Sequence, residues 1–438
     1  MHQLLQLRST VQTASNHPCT VDTFLGGGGQ GEVYRAALDG QSVALKWYFP
    51  EQATPAQRQT LAALIHQGPP SPAFLWPMEL TLAPAVPGFG YVMPLREPRF
   101  KGLVDLMKRR IEPSFRALTT AGLHLAHAFL ELHAKGLCYR DISFGNVFFD
   151  PATGAIQVCD NDNVAIDGQG TSGVLGTPRF IAPEIVRGEA APSTATDLFS
   201  LSVLLFYLFH IHHPLEGQRE AAIKCFDLPA MTKLYGTDPL FIFDPTDDAN
   251  RPVPGLHDNA LASWPIYPPF LRDRFIQAFT AGLRDPQARV RESEWRATLA
   301  QLRDAILYCG HCGAENFYDG DALRAGGGQP GPCWSCRQPL TLPFRLRVGR
   351  DIVMLNHDSQ LFPHHLDPHR RYDLSQPLAV VQQHPQNPQV WGLNNRSPVK
   401  WVTTAPDGTV RDVEPGRSVS LAAGVKIHFG PVDGEVRI

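Results

Sequence analysis

Two sets of residues have the types and spacing to do chemistry. Cys309-Gly310-His311-Cys312 and Cys333-Trp334-Ser335-Cys336 form a C-x2-C-x20-C-x2-C pattern. Each short turn points two thiolates at one ion, and two such turns complete a tetrahedral zinc site. Because cysteine fills all four ligand positions (Cys309, Cys312, Cys333 and Cys336), the expected Zn2+ is structural, and His311 faces solvent. Redox pairing is the other use of CxxC, but the thioredoxin-like βαβ context is missing. The second set is Leu25-Gly26-Gly27-Gly28-Gly29-Gln30-Gly31-Glu32-Val33, which fits G-x-G-x-x-G-x-V at Gly26, Gly28, Gly31 and Val33. Glycines let a backbone fold tightly over phosphates with its amides free to point at them. Thirteen residues beyond Val33, Val43-Ala44-Leu45-Lys46 sets an ammonium on an apolar strand. Alone, the glycine run is a flexible loop and the lysine a snorkelling surface group. Their spacing relative to each other weighs against both of those plain readings.

Further along, His133-Ala134-Lys135-Gly136-Leu137-Cys138-Tyr139-Arg140-Asp141-Ile142-Ser143-Phe144-Gly145-Asn146 succeeds a helical pattern and precedes an apolar strand. Val158-Cys159-Asp160-Asn161-Asp162 comes next, then Gly176-Thr177-Pro178-Arg179-Phe180-Ile181-Ala182-Pro183-Glu184, Asp197-Leu198-Phe199-Ser200-Leu201 and Asp285-Pro286-Gln287-Ala288-Arg289. In this order, residues 25–290 resemble the eukaryotic-type protein kinase family. The resemblance implies an α+β, bilobal kinase fold that uses ATP and Mg2+. Asp141 would accept or orient a substrate hydroxyl proton, Asn146 and Asp160 would hold Mg2+, and Lys46 would neutralise phosphates. Glu184 and Arg289 would form a structural ion pair. Gly90-Tyr91-Val92-Met93-Pro94-Leu95-Arg96 would be the strand entering the hinge. Met93 would then guard the adenine site, with Pro94 and Arg96 facing the base and Val33 and Ala44 on the cofactor side.

The chain departs from the family pattern at four points. Tyr139 replaces a histidine, Ser143 replaces the lysine that steadies the γ-phosphate, and Asn161-Asp162 replaces Phe-Gly. The helical stretch Pro55 to Gln67 holds no glutamate to pair with Lys46, which leaves Gln57, Gln59 or His66 as neutral substitutes. A neutral partner makes a bond about half as strong as a charged one. Asp162 reads as a second metal-facing carboxylate or as a solvated loop residue. In the short activation segment, Arg140 beside Asp141 could receive a phosphate, so autophosphorylation is expected at Thr171 or Ser172. Thr177 is expected to pack beside Asp141.

These residues need elements to position them. Val21 to Leu25, Glu32 to Leu38 and Ser42 to Tyr48 alternate as strands, and Ser114 to Ala134 repeats at helical spacing. Leu198 to Ile211 is too short and too interrupted for a bilayer and reads as a buried core helix. With 438 residues the chain needs two or three cores. The expected division is a kinase domain over 1–305 (small lobe about 15–95, large lobe about 96–305), a zinc ribbon over 306–340, and a small all-β sandwich over 341–438. A net charge of −3 without long basic runs argues against nucleic acid or an anionic membrane as partner. Residues 1–8 lack the features of a secretory signal, so the cytoplasm is expected.

In the tail, Trp391-Gly392-Leu393-Asn394-Asn395-Arg396-Ser397 and Pro415-Gly416-Arg417-Ser418-Val419-Ser420-Leu421 resemble the second half of a degenerate forkhead-associated (FHA) domain. Its phosphate readers would fall to Gly349-Arg350 and Ser359, but Ser-Arg-x-x-His is absent, so a docking or structural sandwich is implied. Domain order, Gly-Gly-Gln-Gly and Asp-Asn-Asp-Asn are similar to bacterial eukaryotic-like kinases of tellurite-resistance and stress clusters. That resemblance implies a protein substrate, with a von Willebrand A protein and a PP2C phosphatase as partners. The alternatives are a nucleotide-binding pseudokinase scaffold and a small-molecule kinase, the latter disfavoured by the Gly-Thr-Pro…Ala-Pro-Glu segment.

Overall fold

Asp39 and Gly40 both have positive φ, 48° and 76°. A two-residue turn of that hand matches strand twist, and it joins β3 (Gly31–Leu38) to β4 (Gln41–Tyr48) with Leu38 opposite Gln41. β2 (Pro18–Gly27) pairs with the other edge of β3. β6 (Gly90–Pro94) pairs with β4, and β5 (Glu79–Leu82) with β6. β1 (Thr10–Thr13) pairs with both β2 and β5 and closes a six-stranded barrel. Strands were expected only from about residue 20; Thr-Val-Gln-Thr is too short for alternation to reveal it.

This computed structural model describes residues 3–168 and 176–438, so Thr171 and Ser172 lie outside the described residues. The chain divides into two compact units. The first holds Met1–Pro113, Ala121–Leu261 and Arg274–Trp295; the second holds Ser114–Thr120, Ala262–Asp273 and Arg296–Ile438.

In the first unit, strand alternation aims Lys46. Val43, Leu45 and Trp47 enter a cluster with Val11, Cys19, Val21, Tyr34 and Val92. Ala44 and Tyr48 enter another with Leu61, Tyr91 and Met93, against which Val33 packs. Side chains two apart share a face, so Lys46 lies on the Ala44 and Tyr48 side. The helix α1 (Pro55–Gln67) supplies Leu61. Thr54 caps it by accepting from the Gln57 amide, and Pro55 stands at its first position.

The rest of this unit is mainly helical. The helix Thr194–His210 begins with a capping box at Ser193 and Thr196 and is almost wholly buried, as expected for a core helix. Among the described residues no helix is long and apolar enough to cross a membrane. Arg289 grips Glu184 with two parallel bonds of 2.8 and 2.7 Å, as the sequence predicted, and also donates to the carbonyls of Ala195 and Gly282. Val147–Phe149 and Ile156–Val158 form a hairpin, with Ile156 opposite Phe149.

In the second unit, the strands Ile306–Tyr308 and Glu315–Phe317 form a hairpin around the first cysteine turn. Residues beyond 344 build a six-stranded and a four-stranded antiparallel sheet. Their buried residues, among them Leu346, Val353, Leu361, Leu393, Trp401, Ile427 and Val436, make one core.

Replacing Glu184 with alanine leaves a buried guanidinium without its anion, which should destabilise the fold by about 3–5 kcal/mol. Urea unfolding of Glu184→Ala against the native chain measures the loss.

Candidate active site

The glycine turn between β2 and β3 is closed by a bond from the Gly28 amide to the Gly31 carbonyl, 2.9 Å. A side chain at Gly31 is impossible, because its Cβ would lie 2.2 Å from the Trp47 carbonyl oxygen. At Gly26, Gly28 and Gly29 a Cβ would meet nothing within 4 Å. That leaves the turn backbone uncluttered.

Lys46 is 4% exposed. Its Nζ lies 2.8 Å from Asp162 Oδ2, 3.1 Å from Asp162 Oδ1, 3.5 Å from Asp160 and 3.1 Å from Gln30 Oε1. Burial pulls the lysine pKa down, but Asp162 first and Asp160 second hold it above the ordinary value. The neutral substitutes expected on α1 are therefore not its partners. Gln57 instead donates to the Tyr48 hydroxyl and to the Asp162 carbonyl, each at 3.2 Å. Nor is Asp162 a solvated loop residue, since it is fully buried and accepts from the Tyr48 hydroxyl. No helix signal could have found it, for 116 residues separate it from Lys46. The only sequence trace was the unusual Asp-Asn-Asp itself.

Asp160 begins the turn in the left-handed region, φ 50° and ψ 46°, which a short polar side chain tolerates. Asn161 pins the turn by donating to the carbonyls of Leu75 (2.9 Å) and Val158 (3.1 Å), so polar bonds stand where the family has an apolar contact. Burial and the charges of Asp162 and Asp141 raise the Asp160 pKa against the opposing pull of Lys46.

The loop carrying Asp141 hangs on Asp197 at the start of the Thr194–His210 helix. Its carboxylate accepts the amides of Tyr139 (2.5 Å) and Arg140 (2.9 Å) and meets His133 Nε2 at 3.1 Å. The other nitrogen of His133 meets Glu292. Asn146 donates to the Asp141 carbonyl (2.8 Å) and carboxylate (2.9 Å), while Thr177 donates to the other carboxylate oxygen at 2.6 Å, beside Asp141 as expected. The Cys159 amide bonds to the Asn146 carbonyl at 2.8 Å, which sets Asn146 next to the segment bearing Asp160. Tyr139, in place of histidine, is fully buried and donates its hydroxyl to the Cys159 carbonyl. Ser143 is buried and brings no cation. Arg140 donates to the Asn163 carbonyl at 2.6 Å.

At the expected hinge, Met93 is buried opposite Ala44, and Pro94 is exposed opposite Val43. Arg96 donates to the Phe100 carbonyl at 2.6 Å and covers the Phe148 ring at 4.2 Å.

In the second unit the four cysteines converge. Cys309 and Cys336 sulfurs are 3.6 Å apart, Cys312 and Cys333 sulfurs 3.8 Å, and all four lie within 4.8 Å of one another. Each turn ends four residues on at a left-handed residue, Gly313 and Arg337. Asn316 donates to the Cys333 sulfur at 3.5 Å. Asp304, His364 and His365 form another cluster. There each imidazole accepts a backbone amide on Nδ1, from Tyr372 and Phe362 respectively. A neutral ring then carries its proton on Nε2, which lies 3.1 Å from Asp304 in His365 and 3.9 Å from it in His364.

Comparison with known proteins finds likenesses to protein kinases. Residues 94–256 match the protein kinase domain family. The DNA damage-responsive serine/threonine-protein kinase RqkA of Deinococcus radiodurans is 31% identical over 213 residues, 46% of this chain and 31% of that protein. The cell cycle serine/threonine-protein kinase CDC5/MSD2 of Saccharomyces cerevisiae is 33% identical over 144 residues, 28% of this chain and 19% of that protein. CBL-interacting protein kinase 4 of Oryza sativa is 30% identical over 139 residues, 29% of this chain and 30% of that protein. The chain thus spans less than a third of the length of these curated relatives. Together the likenesses support a protein kinase superfamily member with a bilobal kinase fold.

The anchor of the Asp141 loop gives a pH test. Burial pulls the His133 pKa down, but hydrogen bonds to Asp197 and Glu292 carry it up to about 9. Because this exceeds the unfolded value of about 6.5, the stabilisation is complete below pH ~6.5 and lost as pH rises through about 9. The melting temperature should fall over that window, and His133→Gln should flatten this part of the profile.

Proposed function

We propose that this chain is an ATP- and Mg2+-dependent serine/threonine protein kinase that phosphorylates protein hydroxyls, its own included. The observation that carries the reading is the gathering of Lys46, Asp160, Asp141 and Asn146 in one partly buried group. Three carboxylates (Asp141, Asp160 and Asp162) share that group with one ammonium, and burial together with the charges of Asp162 and Asp141 raises Asp160. Such an excess of negative charge fits a divalent cation. Asn146 and Asp160 would hold Mg2+, which supplies neutralisation of the developing phosphate charge. Lys46 and the glycine-turn amides hold the phosphates, with adenine toward Met93, Pro94 and Arg96. Asp141 orients the substrate hydroxyl and takes its proton as the oxygen bonds the γ-phosphorus and the bond to the β-phosphate oxygen breaks. Thr177, on Asp141, belongs to the substrate platform.

A place in bacterial signalling or stress response fits the RqkA likeness; the von Willebrand A and PP2C partners follow from the domain order and the Gly-Gly-Gln-Gly and Asp-Asn-Asp-Asn signatures alone. Residues 306–340 serve as a zinc ribbon. Tetrahedral thiolates at about 2.3 Å from zinc stand about 3.8 Å apart, and the sulfur separations of 3.6 and 3.8 Å fit. Residues 341–438 act as an FHA-like sandwich that docks or braces. Ser359 supports this: it is buried, with its hydroxyl on the Met354 carbonyl and the Asn356 amide. The buried Ser143, where a phosphate-steadying lysine is expected, favours the pseudokinase scaffold as second reading.

Radiolabel transfer from ATP should be strong for the native chain and fall about 10²–10⁴-fold in Asp141→Asn with nucleotide binding kept. Binding without transfer in the native chain would establish the scaffold instead. Elemental analysis should find one zinc per chain, lost in Cys333→Ser.

A further inference from the structure

We infer that Asp162 is the positioning carboxylate of Lys46, filling from the turn after Asp160 the place that protein kinases fill with a helix glutamate. The inference rests on the nucleotide reading above, in which Lys46 holds phosphates. In kinases the strand lysine must be gripped by a glutamate of the first helix for the site to be competent. Here that helix offers none: Pro55–Gln67 carries no acidic residue. Its Gln57 reaches the turn itself, through the Asp162 carbonyl and the Tyr48 hydroxyl.

Asp162 has what the task demands. It is fully buried, so it faces Lys46 and not open solvent. Both its oxygens meet Nζ, at 2.8 and 3.1 Å, closer than the partly exposed Asp160 at 3.5 Å. Tyr48, two residues along the same face of β4, donates its hydroxyl to Asp162 Oδ2 and fixes the carboxylate. Asn161 fastens the turn to two backbone carbonyls. The lysine clamp and the metal-side carboxylate are therefore built on one short turn, Asp160 to Asn163. Assembly of the pair depends on that turn and not on a swing of α1.

The test uses the full chain and Asp162→Asn, which keeps size and loses charge. Reactivity of Lys46 toward an amine-acylating reagent, read by peptide mass spectrometry without nucleotide, should rise severalfold as Nζ loses the charged grip of both Asp162 oxygens. Turnover should fall about tenfold, the rate equivalent of exchanging a charge-assisted bond for a neutral one. Adding Gln57→Glu should recover part of that loss, which a merely structural role for Asp162 would not allow. Should Asp162→Asn fail to fold, Tyr48→Phe removes the orienting hydroxyl and should shift both readouts the same way, by less. Unchanged Lys46 reactivity with unchanged turnover overturns the inference. If the native chain neither binds nor hydrolyses ATP, the kinase reading falls alone, since Lys46 reactivity still decides the pairing.

Discussion

An ammonium held away from water must have anions on it, because an unpaired buried charge costs several kcal/mol. Lys46 imposes that constraint on the first unit. It enters from a barrel strand, and its anions come from a turn more than a hundred residues later. Barrel and helical half are thus tied through a single charge cluster, and Tyr48, Gln57 and Gln30 are arranged around it. Much of the unusual sequence in this region makes sense once the lysine is treated as the fixed point.

The same logic governs the loop bearing Asp141. A carboxylate at a helix start, Asp197, takes two consecutive backbone amides and a protonated imidazole. Helix starts favour negative charge, so the anchor sits where the fold already tolerates it. Tyr139 shows how a departure from the family pattern is absorbed. Its ring fills a buried site beside Phe74 and Phe129, and its hydroxyl satisfies a carbonyl next to Asp160.

Features encoded locally were legible in the sequence. The strands Glu32 to Leu38 and Ser42 to Tyr48, the glycine turn and the Thr194–His210 helix arise from turn chemistry and periodicity. The Glu184–Arg289 pair was legible because two motifs of known spacing named both ends. The converging cysteines were legible from CxxC spacing alone. The Lys46 partner was not, because the family pattern places a glutamate on α1, while the carboxylate comes from a distant turn whose burial no local pattern reveals. β1 was missed for a different reason: four residues of mixed polarity become a strand only because two neighbours need their edges paired.

Gln30 sits at the tip of the glycine turn, donating to Asn163 (2.9 Å) while accepting from Lys46 (3.1 Å). The roof of the cleft is thereby tethered to its floor by one amide side chain. Lifting the turn would part that tether at both ends together. Lys46 then rests on carboxylates alone, and Arg140, bonded to the Asn163 carbonyl, stays with the floor. Opening the roof and loosening the lysine are one motion.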